Sequence, residues 1–227
     1  MNTSVKPSVG LGVLHLFFHY DKSVQDDKVK EIVKSAIEDG LQVVVATILG
    51  HKADLALMVL DEDFWRLRDF QSSLASAGLR TIDSYLSLTE VSEYASGVPD
   101  EMKQARLSPQ LPPEGKEAWC FYPMSKRRDP EANWYTLPYE ERLSFMQQHG
   151  HSGRNFAGRV LQVITGSTGV DDYEWGVTLF AEHPDDLKEV VYTMRFDEAS
   201  AIYADFGTFY MGIVSDIESA LIHLMKK

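Results

Sequence analysis

One pattern constrains the fold of this chain more than any other: it reads strand, helix, strand, strand, helix, strand, and then does so again. In the first half residues 11–19 are β-rich, and Val24, Val29, Ile32, Val33 and Ile37 fall on one helical face that Gly40 closes as a C-cap. Residues 41–49 and 53–60 are apolar runs divided by Gly50 and His51. Asp61 opens a second amphipathic helix through Phe64, Trp65, Leu67, Phe70 and Leu74, and residues 79–88 supply the fourth strand. A stretch with Pro99, Pro109, Pro112 and Pro113 and little periodicity then reads as a linker. In the second half residues 118–124 are a strand, 138–149 a helix stopped by Gly150, and 159–165 with 173–181 a strand pair around the 166–172 turn. Residues 184–194 are helical, 207–214 form a strand, and a further helix starts at Ser215.

Each repeat is a ferredoxin-like βαββαβ motif, and the closest local echo lies between residues 52–67 and 172–187. The expected fold class is therefore α+β, with ferredoxin-like domains at 1–95 and 117–227 and a linker at 96–116. Each unit has one helix-covered and one bare sheet face, so the two are expected to pack sheet to sheet, with a ligand cavity between the sheets.

Charge narrows the function. The 227 residues hold 34 acids and 22 bases, a formal charge of -12, and both halves are acidic. A generic nucleic-acid binder needs a concentrated basic face, which this excludes. Any anionic ligand must meet a local basic cluster. The longest apolar stretch, residues 11–18, is too short for a membrane span or a secretory signal. The lone Cys120 excludes an intramolecular disulfide and fits a reducing compartment, so a cytoplasmic location is expected.

The local positive patch runs from Tyr122 to Arg159 and holds six bases against four acids. It contains Lys126, Arg127 and Arg128, the pair Trp134 and Tyr135, and His149 and His151 beside Arg154. Each has a plain reading: a solvated basic run, a core tryptophan, a histidine favoured by a helix C-terminus. Zinc finds no HExxH or CxxC pair. Haem differs, since one imidazole suffices when the macrocycle supplies four nitrogens. Gly166-Ser167-Thr168-Gly169 lies between strands and reads as a turn, and no GxSxG elbow supports a hydrolase.

The motifs themselves resemble a family. Tyr122-Pro123-Met124-Ser125-Lys126-Arg127-Arg128, Asn133-Trp134-Tyr135, Glu140-Glu141-Arg142, His149-Gly150-His151-Ser152-Gly153-Arg154, Thr165-Gly166-Ser167, Asp171-Asp172-Tyr173-Glu174-Trp175-Gly176 and Met194-Arg195-Phe196-Asp197-Glu198-Ala199-Ser200 are similar to the coproheme decarboxylases of the chlorite dismutase superfamily. The likeness runs almost continuously from Arg106 to Gly212. It implies paired ferredoxin-like domains forming a barrel-like core, assembled as a homopentamer.

By motif position, His149 matches the proximal haem ligand, Tyr122 the tyrosine that becomes a radical, Lys126 the lysine beside it and Gln162 the distal glutamine. Arg106 fits a propionate-binding arginine across a slightly longer spacing. Arg195, Ser200, Tyr85 and Ser87 match further propionate contacts, Trp134 and Trp175 match aromatics near the porphyrin, and Glu198 stands at the position of a carboxylate partner for His149. Chlorite dismutases carry an arginine where Gln162 stands, so chlorite chemistry is disfavoured. Tyr122, rather than a histidine, points to the tyrosine-using branch found in Firmicutes.

The implied reaction is peroxide-dependent decarboxylation of two propionates of Fe-coproporphyrin III (coproheme) to vinyls, through a three-propionate intermediate, giving haem b. Coproheme is then both substrate and redox cofactor, and a ferrochelatase supplying it is an expected transient partner. Two other readings compete: a haem-binding or haem-transfer protein without turnover, and a chlorite dismutase.

Overall fold

The computed structural model describes residues 3–95 and 97–225; Ser96, the expected start of the linker, lies outside the described residues, as do the two residues at each terminus. The first half runs β1 (Gly12–His19), α1 (Asp26–Glu38), β2 (Gln42–Ile48), β3 (Leu55–Asp61), α2 (Phe64–Ser76) and β4 (Arg80–Thr89). There follow α3 (Asp100–Leu107), β5 (Ala118–Lys126), a small hairpin of β6 (Arg128–Asp129) and β7 (Ala132–Asn133), a 3-10 turn at Trp134–Thr136, and α4 (Tyr139–Arg154). The chain ends with β8 (Val160–Gly166), β9 (Trp175–Ala181), α5 (Pro184–Met194), α6 (Glu198–Ala201), β10 (Ala204–Phe206), β11 (Tyr210–Val214) and α7 (Ile217–Leu224).

The two repeats build the same antiparallel order, β2-β3-β1-β4 and β11-β5-β9-β8. Their edges then pair. Gly212 of β11 lies opposite Ile48 of β2, and Leu88 of β4 opposite Gly166 of β8, so eight strands close into a barrel that leaves those edges covered. A Cβ on Gly212 would stand 2.8 Å from the Thr47 carbonyl, so the β2–β11 seam needs a residue without a side chain. The short β10 pairs with the far end of β5.

Period-two alternation assigns each strand's side chains. Phe17, Met58, Tyr85, Trp119, Phe121, Phe180 and Tyr210 fill the barrel interior, while Leu16, Leu57 and Val59 pack outward under α1, α2 and α7. A third cluster, with Cys120, Tyr122, Phe156, Leu187 and Val190, lies on the outer face of the second sheet. Inside the barrel His15 stacks on Phe121 at 4.1 Å and bonds Thr178 Oγ1 through Nε2 at 3.0 Å, and burial pushes its pKa down to about 3. The expectation of a ligand cavity between the sheets is overturned, because these large rings fill that space.

Three local expectations also change. The linker holds α3, a two-turn helix begun after Pro99 with Asp100 and Glu101 in its first turn. Helix α2 starts at Phe64, capped by Asp63 accepting from Trp65 N at 3.0 Å, whereas Asp61 pairs with Arg66. Helix α4 continues through Gly150 to Arg154. Glycine in a helix interior costs only about 1 kcal/mol, and no left-handed turn occurs there.

The terminal helix α7 is capped by Asp216, which accepts from Ser219 N at 2.8 Å and Ser219 Oγ at 2.7 Å. Asp216→Ala is expected to lower stability by about 1 kcal/mol. The urea midpoint should fall with an unchanged m-value; a wild-type midpoint would show that the cap contributes nothing.

Candidate active site

The site is built on the outward face of β5. With Trp119 and Phe121 directed into the barrel, Tyr122, Met124 and Lys126 face the helices. The Tyr122 ring stacks on Phe209 at 4.3 Å and meets Phe206 at 5.8 Å. Burial pushes its phenol well above the usual range, with Arg195 partly opposing. Among the described residues nothing hydrogen-bonds its hydroxyl.

Lys126 is buried at the end of β5. Its ammonium donates to the Ala199 carbonyl and lies 4.4 Å from the Trp134 ring centre, and its backbone N–H donates to Glu174 Oε2 at 2.7 Å. Burial lowers its pKa to about 8 against the pull of Glu174. It is therefore a cation that can give up a proton near neutrality.

Helix α4 presents Arg142, Phe145, His149 and Ser152 along one face, three to four residues apart. His149 Nδ1 lies 3.2 Å from Asp197 Oδ2, and Ser152 Oγ donates to Asp197 Oδ1 at 2.7 Å. The imidazole–carboxylate contact is at ion-pair distance but off the axis of a good hydrogen bond, so neither atom is otherwise satisfied. Burial and Lys126 hold His149 below its ordinary pKa, against Asp197. That favours a neutral ring whose Nδ1 side faces a carboxylate and whose Nε2 makes no hydrogen bond among the described residues.

The carboxylate partner is thus Asp197 and not Glu198. Asp197 stands at the start of α6 and turns back toward α4, while Glu198, one residue on, is exposed. Sequence reasoning quoted Asp197 inside a motif without giving it a role. Phe206 and Phe209 were also missed, since an aromatic in a strand region carries no signal of which face it covers.

The remaining expected residues divide. Arg195 ends α5 with its guanidinium 5.1 Å from the Phe206 ring centre, and the half-buried Ser200 lies in α6 beyond Asp197. Trp134 is buried under Lys126, with Tyr203 edge-on at 5.4 Å. Gln162 comes near α4 one turn past His149, its Nε2 3.6 Å from where a Cβ on Gly153 would be. Trp175 opens β9 opposite Met124 and donates to Glu90 Oε1 at 3.2 Å.

Tyr85 and Ser87 do not join them. They sit on the inward face of β4, where the Tyr85 hydroxyl bonds Ser167 Oγ and Ser87 Oγ meets Thr165 Oγ1 at 2.8 Å. Alternation along β4 turns both into the barrel, away from the face of β5 that carries Tyr122 and Lys126. Arg106 is exposed in the last turn of α3, and no contact among the described residues ties it to His149.

Among the described residues no three His, Cys, Asp or Glu side chains come together to hold a metal ion. A lone imidazole with a buried carboxylate behind it fits instead an iron that a macrocycle already holds through four nitrogens. A cavity of about 560 Å³ between α1 and α2 is remote from these groups, and one of about 100 Å³ lies at the barrel mouth beside Tyr85 and Tyr210. The chemistry, not the cavities, locates the site.

Residues 22–215 match the profile of a family described as chlorite dismutase. A coproheme decarboxylase of Staphylococcus carnosus is 48% identical over 179 residues, covering 74% of this chain and 70% of its own length. A Natronomonas pharaonis protein that bears a heme-binding name is 45% identical over 185 residues. The match covers 74% of this chain but only 30% of that protein, so the chain spans about a third of the archaeal relative. Among solved structures, a heme-binding protein from Thermus thermophilus superposes with a TM-score of 0.82 at 33% identity, over 98% of this chain and 100% of that one. No helix among the described residues is long and apolar enough to cross a membrane.

Proposed function

The chain belongs to the chlorite dismutase family, and from that premise we propose that it is a coproheme decarboxylase of haem biosynthesis. One observation carries the reading: an imidazole backed by a buried carboxylate, His149 with Asp197 at 3.2 Å, shares its site with a buried phenol, Tyr122, and a buried amine, Lys126. A staphylococcal relative with the decarboxylase name supports it.

His149 would hold through Nε2 the iron of coproheme, which would be substrate and redox centre together. With hydrogen peroxide, the bound iron porphyrin supplies the oxidising power that acid–base side chains lack for removing hydrogen from an unactivated carbon. Tyr122 acts between oxidant and substrate. It gives up its hydroxyl hydrogen as proton and electron, then takes one hydrogen atom from the propionate carbon next to the ring. Loss of the carboxylate as carbon dioxide, with one further electron, leaves the vinyl. Each peroxide accepts two electrons and becomes two waters, so two peroxides serve the two propionates.

Lys126, poised near neutrality, orients the second propionate or returns a proton. Arg195 and Ser200 flank Asp197 in sequence and are assigned to propionates, with Trp134 and Trp175 beside the macrocycle and Arg106 added on its motif position. Phe206 and Phe209 cover the Tyr122 ring, so a planar ligand would exchange with phenyl faces. Gln162 is a neutral amide with no charge to offer a chlorite-derived oxyanion. A homopentamer in the cytoplasm, served by a ferrochelatase, completes the proposal.

Reconstitution with coproheme and titration with peroxide should give two successive losses of carbon dioxide by mass spectrometry. The relatives with heme-binding names favour a second reading, haem binding without turnover. Stoichiometric binding with no peroxide-dependent mass change would establish that reading and remove the first.

A further inference from the structure

The Glu140-Glu141-Arg142 motif opens α4 and has no part in the chemistry above. Arg142 lies seven residues before His149 on the same face, two turns or about 10 Å along the axis. Between them Phe145 packs against Trp134 at 6.3 Å and Tyr203 at 6.0 Å, so one continuous aromatic wall runs from Arg142 to the Lys126 pocket. The spacing is of the order that separates the centre of a porphyrin from its peripheral carboxylates.

Arg142 is fixed by partners from the loop after β4. Its Nη1 donates to the Tyr94 hydroxyl at 2.9 Å and to Glu93 Oε1 at 3.0 Å, and its guanidinium lies 5.6 Å from the Tyr139 ring centre and 6.0 Å from that of Tyr94. Those two rings stack on each other at 5.9 Å. The two halves of the ion pair differ: the Arg142 side chain is 20% exposed and the Glu93 side chain 55%. The cation is built in, and its anion is held at the surface.

Most of the guanidinium's donor capacity is unspent. Nε–H is buried without an acceptor, and no hydrogen bond engages Nη2 among the described residues. Nη2, together with the Nη1 that Glu93 now engages, forms the end of the guanidinium, which matches the two oxygens of one carboxylate. Tyr94 adds a hydroxyl that accepts from Arg142 and whose own hydrogen is directed to Glu93, so a carboxylate that replaces Glu93 inherits that donor too. A solvated internal carboxylate on a preorganised guanidinium is a contact that a better placed carboxylate displaces.

We propose that Arg142 and the Tyr94 hydroxyl form a carboxylate subsite of the same site, which takes one porphyrin propionate in exchange for Glu93. This rests on the iron-porphyrin reading. The motif then has a function: it anchors one edge of the macrocycle while His149, further along the same helix, holds the centre. An acidic chain thereby gains a further cation at its anionic ligand.

Soret titration with two ferric porphyrins separates the possibilities, coproporphyrin III with four carboxylates and etioporphyrin with none. Arg142→Met should weaken coproporphyrin binding about 10- to 100-fold, the scale of a charge-assisted bidentate contact. Etioporphyrin binding should change less than about 2-fold. Glu93→Gln, which leaves the guanidinium in place and weakens its internal competitor, should tighten coproporphyrin binding several-fold. Equal weakening of both ligands in Arg142→Met, or wild-type affinity for coproporphyrin in both variants, would overturn the subsite. If the wild-type protein binds neither porphyrin, the haem reading itself fails and takes the subsite with it.

Discussion

Tyr122→Phe should bind coproheme as the wild type does and lose peroxide-dependent decarboxylation by at least about 1000-fold, the scale on which removal of a reacting group acts. The substitution is a clean one in this structure. The ring's neighbours are Phe206 and Phe209, and its hydroxyl makes no hydrogen bond among the described residues, so its removal strands no buried partner. A phenyl ring keeps the stacking on Phe209 and the burial under the helices. What disappears is a hydrogen atom that can be given up and regained. Mass spectrometry of the porphyrin after peroxide titration should therefore show unreacted four-propionate substrate, with a Soret titration within about 3-fold of wild type. Three-propionate product at the wild-type rate would remove Tyr122 from the reaction.

The repeat was legible because its signals are local. Alternation in β5 separates Trp119 and Phe121 from Cys120 and Tyr122, and Pro184 at the start of α5 marks the start of that helix. Closure into a barrel was not legible in the same way. It depends on β2 meeting β11 and β4 meeting β8, pairings between strands far apart in the chain whose register no local pattern encodes. Without that closure, two bare sheet faces suggest a cavity, and only the sizes of Trp119, Phe17, Phe121 and Phe180 together show it filled.

The site followed the same division. Tyr122, Lys126 and His149 were assigned by motif position within the resemblance, since each residue type alone also has a plain reading. Tyr85 and Ser87 turn into the barrel, which was not legible because a motif fixes position along β4 but not which face a side chain uses. The extension of α4 past Gly150 brought Ser152 under Asp197, and glycine's ordinary preference for helix ends hid it. The overall charge of -12 likewise describes the surface. Lys126, Arg195 and Arg142 give the site its own sign.

His149→Ala should lose coproheme affinity by about 100-fold or more and should lose the spectrum of a histidine-ligated iron, because neither His151 nor His15 shares its surroundings. His151 follows on another face of α4, and His15 is sealed in the barrel, bonded to Thr178. Imidazole added from solution should restore the ligated spectrum without restoring the affinity of the intact protein. Asp197→Ala should have a smaller effect, about 10- to 100-fold on iron-porphyrin affinity, the range for a group that orients a metal-bound histidine. It leaves the ligand present and removes what faces Nδ1, so the iron–histidine stretching frequency in the ferrous protein should fall. Glu198→Gln is the control that the geometry supplies. Glu198 is exposed to solvent one residue from Asp197, and its removal should leave both affinity and frequency unchanged. A shift in Glu198→Gln with none in Asp197→Ala would mean that α6 turns the other way when the porphyrin is bound, and the partner of His149 would have to be reassigned.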